Sequence, residues 1–389
     1  MTTTTEAILA VSEEVLNATT PNETLAGEAD VANGTSEAQF CGPGLEHFQA
    51  GYREVHGYLS LLVCVFGSVA NSLNIAVLTR REMVSATNSI LTALAVADLL
   101  VMVEYVPYAL HTYLLKRPRA RTYTYAWAVF VLFHSNFAQV CHTVSILLTV
   151  ELAVWRYLAV AQPRRGQVGV ARTLAAVAAA YLLGPLLCAP HFLAFEVAQV
   201  RERGATLHVV QMSRLSRAAG GLLADLNFWV YAVAVKLAPC AALTALSLRI
   251  VAALLETKRR RRQLALAAAA AARQPAKGRQ TERTTRMLLA VLLLFLATEL
   301  PQGVLGLLSG LLGQRFFAEC YVPLGELMDG LALLNSAVNF VLYCSMSRQF
   351  RVTFCQLFRP RALGRWIPVE ASHDANNTTT NNATQVTQL

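Results

Sequence analysis

Apolar residues are gathered into seven long blocks, and polar stretches separate the blocks. Every block reaches the roughly 20 residues that a helix needs to cross about 30 Å of hydrocarbon. The short alternating segments of membrane β-barrels are absent, so helices are the expected spanning form. The sequence therefore predicts an all-α membrane protein, a seven-transmembrane helix bundle. The blocks lie at residues 57–79, 88–113, 127–155, 172–195, 226–252, 287–312 and 321–345.

The third block carries polar residues inside an otherwise apolar sequence. His134, Gln139 and His142 lie in it, and its last residues lead into Arg156-Tyr157, where the chain leaves the membrane. A spanning helix that is polar along one stripe faces other protein rather than lipid over that stripe. The third helix is therefore expected at the centre of the bundle.

The composition divides the chain into four expected parts. The polar, Thr-rich start predicts a disordered extracellular tail, and the polar end predicts a disordered cytoplasmic tail. Basic and aromatic residues alternate at helical spacing after the seventh block, which predicts an amphipathic helix on the membrane surface. The parts are the first tail at 1–53, the seven-helix domain at 54–346, the amphipathic helix at 347–358 and the second tail at 359–389.

The distribution of Lys and Arg predicts how the bundle is oriented. Both are more abundant in the connections after the first, third, fifth and seventh blocks, and such connections stay cytoplasmic. The chain is therefore expected in the plasma membrane with its N-terminus outside. The net charge of +9 reflects this bias, so nucleic acid is not an expected partner. The outer tail holds three predicted glycosylation sites, at Asn17, Asn22 and Asn33.

Several motifs follow one another in a fixed order along the blocks. They are Asp98 in the second block, Arg156-Tyr157 after the third, Pro239 in the fifth, Pro301 in the sixth and Asn339-x-x-x-Tyr343 closing the seventh. Each motif is weak alone, but the order and spacing together resemble the rhodopsin-like G-protein-coupled receptors. The resemblance runs from about Gly57 to Phe358.

Other positions depart from that receptor pattern. Trp155 stands where the family has an acid before the arginine, Glu299 replaces a tryptophan, and Phe340 replaces a proline. No cysteine begins the third helix or lies between residues 192 and 226, so the usual disulfide to the second outer loop cannot form. These departures, together with the stretch from Thr298 to Gly303, are similar to the arthropod myosuppressin receptors and their FMRFamide-related kin.

That resemblance implies a receptor rather than an enzyme, with no cofactor or metal. It implies three partners: a short extracellular peptide ending in Arg-Phe-amide, a heterotrimeric G protein and membrane lipid. The expected ligand-binding residues are Glu104, His134, Gln139, His142, Lys236, Glu299, Gln302 and Asp329. The expected coupling and switch residues are Arg156, Tyr157, Pro301 and Tyr343. A polar core that holds water or an ion is expected from Asn71, Asp98, Asn335 and Asn339.

Two of these assignments have competing interpretations. The acids of the outer half, Glu326 included, suit the arginine of a peptide, but Glu299 can instead pair internally with Lys236. The polar residues of the third helix can line a pocket or simply form hydrogen bonds between helices. Trp155 stands in the position of the acid that would restrain Arg156 in the inactive receptor. We therefore expect either high basal activity or a substitute acid such as Glu282.

The eight cysteines fall into three groups. Cys41 and Cys320 are the two on the outer side, and we predict that they form a disulfide. Cys355 lies on the predicted amphipathic helix and is a candidate for palmitoylation. The remaining five fall within the apolar blocks and are expected to pack there.

Other classes of seven-helix or polytopic membrane protein fit less well. A retinal protein needs a lysine in its last helix, and residues 321–345 contain none. An intramembrane hydrolase or transporter is disfavoured because paired catalytic motifs and inverted repeats of broken helices are absent. A rhodopsin-like receptor for a different peptide or small ligand remains the alternative function.

Overall fold

The computed structural model describes residues 40–115, 117–161, 169–202, 204–267 and 276–358. The tails that the sequence predicts as disordered lie almost entirely outside these ranges, as do the three sequons. Within the described residues, seven helical segments are long and apolar enough to cross a membrane. The predicted seven-helix bundle is confirmed.

The spanning helices are named α1 to α7, and the amphipathic helix that follows is α8. Their bounds are α1 Pro43–Leu78, α2 Ala86–Ala109, α3 Tyr125–Ala161, α4 Val170–Leu187, α5 Leu222–Trp229 continued by Val230–Leu237 and Ala238–Ala267, α6 Ala276–Leu312, α7 Val322–Ala337 with Asn339–Met346, and α8 Arg348–Phe358. Shorter turns lie at Arg81–Met83, Leu110–Leu114, Arg119–Thr122, Ala189–Ala194, Arg214–Ala218, Gln314–Phe316 and Phe317–Tyr321.

The first helix begins earlier than its apolar block and takes in the end of the predicted extracellular tail. Pro43 stands at its first turn, where the missing N–H costs nothing and the fixed φ suits a helix. The second helix begins at a cap that the sequence shows directly, because the Ser85 side chain accepts a hydrogen bond from the Asn88 N–H at 3.2 Å.

The third helix lies at the centre of the bundle, as its polar stripe predicts. It packs against α2, α4 and α5. Two-thirds of its most apolar window is buried, against 22% for α4, which lies at the periphery. Three of its polar side chains, those of His134, Gln139 and His142, are nearly inaccessible.

Two helices depart from regular α-geometry, one at Lys236 and the other next to Asn339. In α5 the stretch Val230–Leu237 is π-helical and ends just before Pro239, which has no N–H to continue an α-helical ladder. In α7 the helix is interrupted at Val338, although Phe340 stands where the receptors that the sequence resembles carry proline. The π-helical stretch carries Lys236, and the interruption precedes Asn339.

A β-hairpin joins α4 to α5 and was not predicted. Strand β1, Phe195–Glu202, pairs antiparallel with β2, Ala205–Met212, and Gly204 adopts φ +80 at the turn. The hairpin lies beside the start of α3, where the His208 N–H donates to the Tyr123 carbonyl at 2.9 Å. The end of the bundle that carries it is called the hairpin end, and the opposite end the α8 end.

The eighth helix closes the α8 end of the bundle. Phe350 is buried against the rings of Phe340 and Tyr343, while Val352 and Cys355 on the other face are exposed. Its polar and apolar residues are strongly segregated, as expected for a helix that lies flat on a membrane.

Candidate functional site

Three charged or polar side chains meet where α3, α5 and α6 approach one another. The Lys236 ammonium donates to a carboxylate oxygen of Glu299 and lies 2.7 Å from Nε2 of His142. Nε2 of His142 also lies 3.1 Å from the same Glu299 oxygen. All three side chains are almost wholly buried. The internal pairing that the sequence left open for Glu299 is the arrangement in the structure.

The geometry of this triad indicates its charge state. An ammonium nitrogen offers only hydrogens, so the His142 nitrogen that it contacts accepts and the ring is neutral. The triad therefore carries one positive charge, on Lys236, and one negative charge, on Glu299. Because an unpaired ion is very costly in such an environment, the two charges hold each other in place.

A cavity of about 550 Å³ lies directly above the triad, between α5 and α6 at the hairpin end. Lys236 forms part of its floor, and Gln302 and Asn227 add polar groups to the lining. Six of its 21 lining residues are aromatic. These aromatic residues are Phe195, Phe228, Trp229, Tyr231, Phe317 and Tyr321.

One acid lines this cavity, and sequence reasoning missed it. Asp225 stands in the first turn of α5, exposed, and its carboxylate makes no hydrogen bond or ion pair within the described part of the chain. With an α-helical rise of about 1.5 Å per residue, Asp225 and Lys236 are on the order of 15 Å apart along α5. The cavity thus has an open carboxylate high on its wall and a neutralised ion pair at its floor.

The other predicted ligand residues divide between this cavity and a second cluster. Gln139 reaches the cavity lining indirectly, through a 3.3 Å hydrogen bond to Asn227. Glu104 and His134 lie elsewhere, paired at 2.7 Å between α2 and α3, with the imidazole stacked on Tyr108 at 4.0 Å.

Two further acids of the hairpin end lie on α7. Glu326 is 3.6 Å from the Arg53 guanidinium of α1, and Asp329 is buried within the bundle. Neither lines the cavity between α5 and α6. A Cβ added to Gly330 of the same helix would meet the Tyr52 hydroxyl at 2.7 Å, so α1 and α7 approach each other closely here.

The predicted polar core is assembled around Asp98, in the α8 half of the bundle. Its carboxylate accepts hydrogen bonds from Ser145 at 2.7 Å and from Asn339 at 3.0 Å. Asn71 donates to the Ser336 carbonyl of α7 at 3.1 Å, which ties α1 to the same region. Within the described residues, the Asn335 side chain makes no hydrogen bond to this group.

The core thus connects α2, α3 and α7 through a single carboxylate. Sequence reasoning missed Ser145 as its hydrogen-bond donor, although the residue lies on the polar stripe of α3. No group of three or more His, Cys, Asp or Glu side chains suited to a metal ion occurs in the described ranges.

The predicted coupling residues lie near the α8 end. Tyr343 is buried against α8, whereas Arg156 and Tyr157 are only partly buried. Arg156 forms no ion pair with any side chain that the structure describes. The indole nitrogen of Trp155 is enclosed without a hydrogen-bond partner in the described residues. The side chain of Glu282, the suggested substitute acid, lies outside those described.

The cysteines of the two ends have contrasting environments. Cys41 and Cys320 form a disulfide, with Cα atoms 5.6 Å apart, that joins the chain just before α1 to the connection between α6 and α7. Cys355 is a free, exposed thiol on α8.

Comparison with known proteins identifies the architecture. Residues 58–361 match the family described as serpentine-type seven-transmembrane G-protein-coupled receptor chemoreceptor Srw. The chain is 32% identical to G-protein coupled receptor dmsr-1 of Caenorhabditis elegans, over 79% of this chain and 69% of that protein.

Two receptors of Drosophila melanogaster are also similar. The sex peptide receptor is 26% identical over 80% of this chain and 74% of its own length. The FMRFamide receptor is 23% identical over 80% of this chain and 55% of its own length. Seven spanning helices and receptor relatives indicate a multi-pass plasma-membrane receptor rather than an enzyme. The chain therefore belongs to the Srw family of seven-transmembrane G-protein-coupled receptors.

Proposed function

We propose that this receptor binds an extracellular, myosuppressin-like peptide ending in Arg-Phe-amide and signals through heterotrimeric G proteins. Two of its relatives are named as receptors for the sex peptide and for FMRFamide, which supports a peptide ligand. The distribution of Lys and Arg supports an extracellular N-terminus, glycosylated at Asn17, Asn22 and Asn33. The hairpin end then faces the extracellular space.

The cavity between α5 and α6 is the observation that carries this proposal. Its volume of about 550 Å³ falls within the roughly 300–1,000 Å³ of typical ligand pockets. Aromatic walls suit the phenylalanine ring, and the open carboxylate of Asp225 suits the guanidinium, which binds carboxylates with two hydrogen bonds. Lys236 offers a hydrogen bond at the floor, and Asn227 and Gln302 offer hydrogen bonds elsewhere in the lining.

In this proposal the acids expected from the sequence have different roles. Glu299 acts through Lys236 instead of meeting the peptide arginine, because its carboxylate is paired with Lys236 and is inaccessible from the cavity. Glu104, His134 and Asp329 lie outside the cavity, and we assign them to contacts with peptide residues preceding the Arg-Phe-amide. From α3, His142 supports the floor through Lys236, and Gln139 supports the lining through Asn227.

Ligand binding transmits to the α8 end through α6. A ligand changes the balance between two receptor states only by the difference in its affinity for them. Pro301 lies directly after the triad and lacks the N–H that would stiffen the helix, so it is the expected pivot. Movement of α6 would expose the surface around Arg156, Tyr157 and Tyr343 to the G protein.

The polar core and α8 complete the proposed assignments. Asn71, Asp98, Asn335 and Asn339 hold water or an ion that links α2 and α7. Cys355 is exposed on the membrane-surface helix, where palmitate would add a lipid anchor.

The test is a signalling assay in cells that express the receptor. Phe-Leu-Arg-Phe-amide is compared with its Arg→Ala analogue on the wild type, on Asp225→Asn and on Glu54→Gln. Glu54 is the matched control, an exposed acid at the same end of the bundle that does not line the cavity. A lost charge-assisted contact of about 1.5–3 kcal/mol reduces potency roughly 10-fold to 100-fold.

The pattern across peptides and variants distinguishes the site from a general effect. Asp225→Asn should lower the potency of the arginine peptide and leave that of the alanine analogue unchanged, because the two changes remove one contact. Glu54→Gln should respond like the wild type. A wild type that is present at the surface and silent to Phe-Leu-Arg-Phe-amide contradicts the peptide class.

A further inference from the structure

The floor of the cavity is an ion pair whose charges already cancel. Lys236 is the group that reaches the cavity lining, and Glu299 lies beneath it, fully inaccessible. The neutral His142 adds no charge to the pair. A ligand that arrives at this floor therefore meets hydrogen-bond donors but no net charge.

The ammonium retains one donor for such a ligand. Of its three hydrogens, one points to Glu299 and one to His142, while the nitrogen also lies 5.2 Å from the ring centroid of Tyr231. The remaining hydrogen can meet a carbonyl oxygen in the cavity. A carboxamide oxygen accepts this bond without bringing charge with it.

We propose that the Lys236–Glu299 pair selects peptides with an uncharged, amidated C-terminus over the same peptides with a free carboxylate. This inference rests on the proposed function, since it places the peptide C-terminus at the cavity floor. A free carboxylate brings a second negative charge close to Glu299, and Lys236 can neutralise only one of them. The carboxylate also loses its water on entering, with no further cation in the lining to replace it.

The acid that carries the selection can be identified by comparison with Glu104. Both Glu299 and Glu104 are carboxylates in the hairpin half of the bundle, and both contact an imidazole of α3. Only Glu299 contacts a residue of the cavity lining. Glu104→Gln is therefore the matched control for Glu299→Gln.

Competition binding on membranes from expressing cells measures the selection. Phe-Leu-Arg-Phe-amide and its free acid compete for the receptor against a labelled amidated peptide. We expect the wild type to prefer the amide by roughly 100-fold, the equivalent of two tenfold steps in affinity. In Glu299→Gln the preference should shrink to about 10-fold or less, mainly because the free acid binds more tightly to the released Lys236. Glu104→Gln should weaken both forms to the same extent and so keep the wild-type ratio between them, because we assign Glu104 to earlier residues of the peptide.

Each outcome has a separate meaning. A wild type that binds the amide, with Glu299→Gln keeping the same ratio, overturns this inference and leaves the proposed function standing. A wild type that binds neither form overturns both. A shrunken ratio in Glu104→Gln also contradicts the inference, because it means that any acid of the hairpin end has the same effect.

A second measurement needs no altered receptor and stands if Glu299→Gln does not reach the cell surface. The methyl ester of the same peptide is uncharged like the amide but has no N–H at its C-terminus. If charge is what the floor rejects, the ester should bind the wild type within a few-fold of the amide. If the ester binds as weakly as the free acid, the receptor recognises the amide hydrogens rather than the absence of charge, and the proposal is contradicted.

Discussion

Three residues at the junction of α3, α5 and α6 distinguish this receptor from the rhodopsin-like pattern that its sequence resembles. Glu299 stands where the receptors that the sequence resembles have a tryptophan, and Lys236, with His142 beside it, supplies the charge that makes a buried carboxylate tolerable there. Removing one member of a buried pair leaves the other charge uncompensated, which is why such positions are rarely altered singly without loss. The same pair that holds the helices together also forms the cavity floor.

A second departure, at Trp155, leads to a prediction about resting activity. Arg156 has no ion-pair partner among the described side chains, so an acid placed beside it should restrain it. We expect Trp155→Asp to lower basal G-protein signalling, measured without ligand and normalised to surface expression. Trp155→Asn introduces a side chain of the same size as aspartate but without its charge, and it should lower basal signalling less. Equal basal activity in the two variants would show that charge at this position does not restrain the receptor.

At the residue scale the sequence predicted the buried groups better than the exposed one. Lys236 and Glu299 could be identified from the sequence because a charged residue inside a spanning helix is costly and is therefore paired or functional. Their pairing remained one of two interpretations, since contact between α5 and α6 depends on how the helices rotate. Asp225 was not predicted, because an acid at the edge of an apolar block is ordinary until the cavity beside it is known.

At the scale of elements, close helix packing depends on a few glycines. A Cβ added to Gly184 of α4 would meet a methyl carbon of Val144 on α3 at 2.5 Å. Valine is stiff at χ1 and cannot easily turn away. By contrast, Gly51 near the start of α1 has nothing within 4 Å of such a Cβ. The two positions are both helical but differ in their surroundings.

This contrast predicts different effects of the same substitution. Gly184→Ala should destabilise the receptor by about 1–3 kcal/mol, because an overpacked contact forces the helices apart. Gly51→Ala should be neutral or slightly stabilising, since alanine favours a helix. Thermal unfolding of the detergent-solubilised receptor measures both. A Gly184→Ala variant as stable as the wild type would mean that α3 and α4 are less closely packed than described.

The elements that are long apolar segments were predicted well from the sequence, and the elements without such a segment were predicted poorly. The seven apolar blocks predicted the seven spanning helices, and the alternation of basic and aromatic residues predicted α8. The hairpin was missed because its alternating residues, such as Val197 and Val209, lie in a connection that was interpreted only by its charge. The early start of α1 was missed because its first residues are polar.

At the scale of the whole molecule, two features hold the hairpin end in shape. The hairpin is bonded to the start of α3, and the Cys41–Cys320 disulfide ties the start of α1 to the connection before α7. Arg315 and Glu319, 2.8 Å apart, reinforce that connection, and Glu319 also accepts the Phe40 N–H at 2.8 Å. The connection borders the cavity through Phe317 and its neighbours.

The disulfide is therefore expected to affect ligand binding more than insertion in the membrane. Cys41→Ser and Cys320→Ser should each reduce peptide potency about tenfold, because the connection beside the cavity gains freedom that binding must remove. The double variant should be no weaker than either single one, since all three lack the same bond. Dose–response curves at matched surface expression test this. Additive losses would show that the two cysteines act independently.

Photolabelling can establish whether an amidated Arg-Phe peptide binds in the cavity between α5 and α6, as we propose. The probe is Phe-Leu-Arg-Phe-amide with benzoylphenylalanine in place of its last residue. We predict that the label attaches within residues 222–237 or 302–322 and that unlabelled Phe-Leu-Arg-Phe-amide displaces it. Displaceable label confined to α2 and α3 around Glu104 and His134 would contradict this site. Label that the unlabelled peptide does not displace would contradict specific binding.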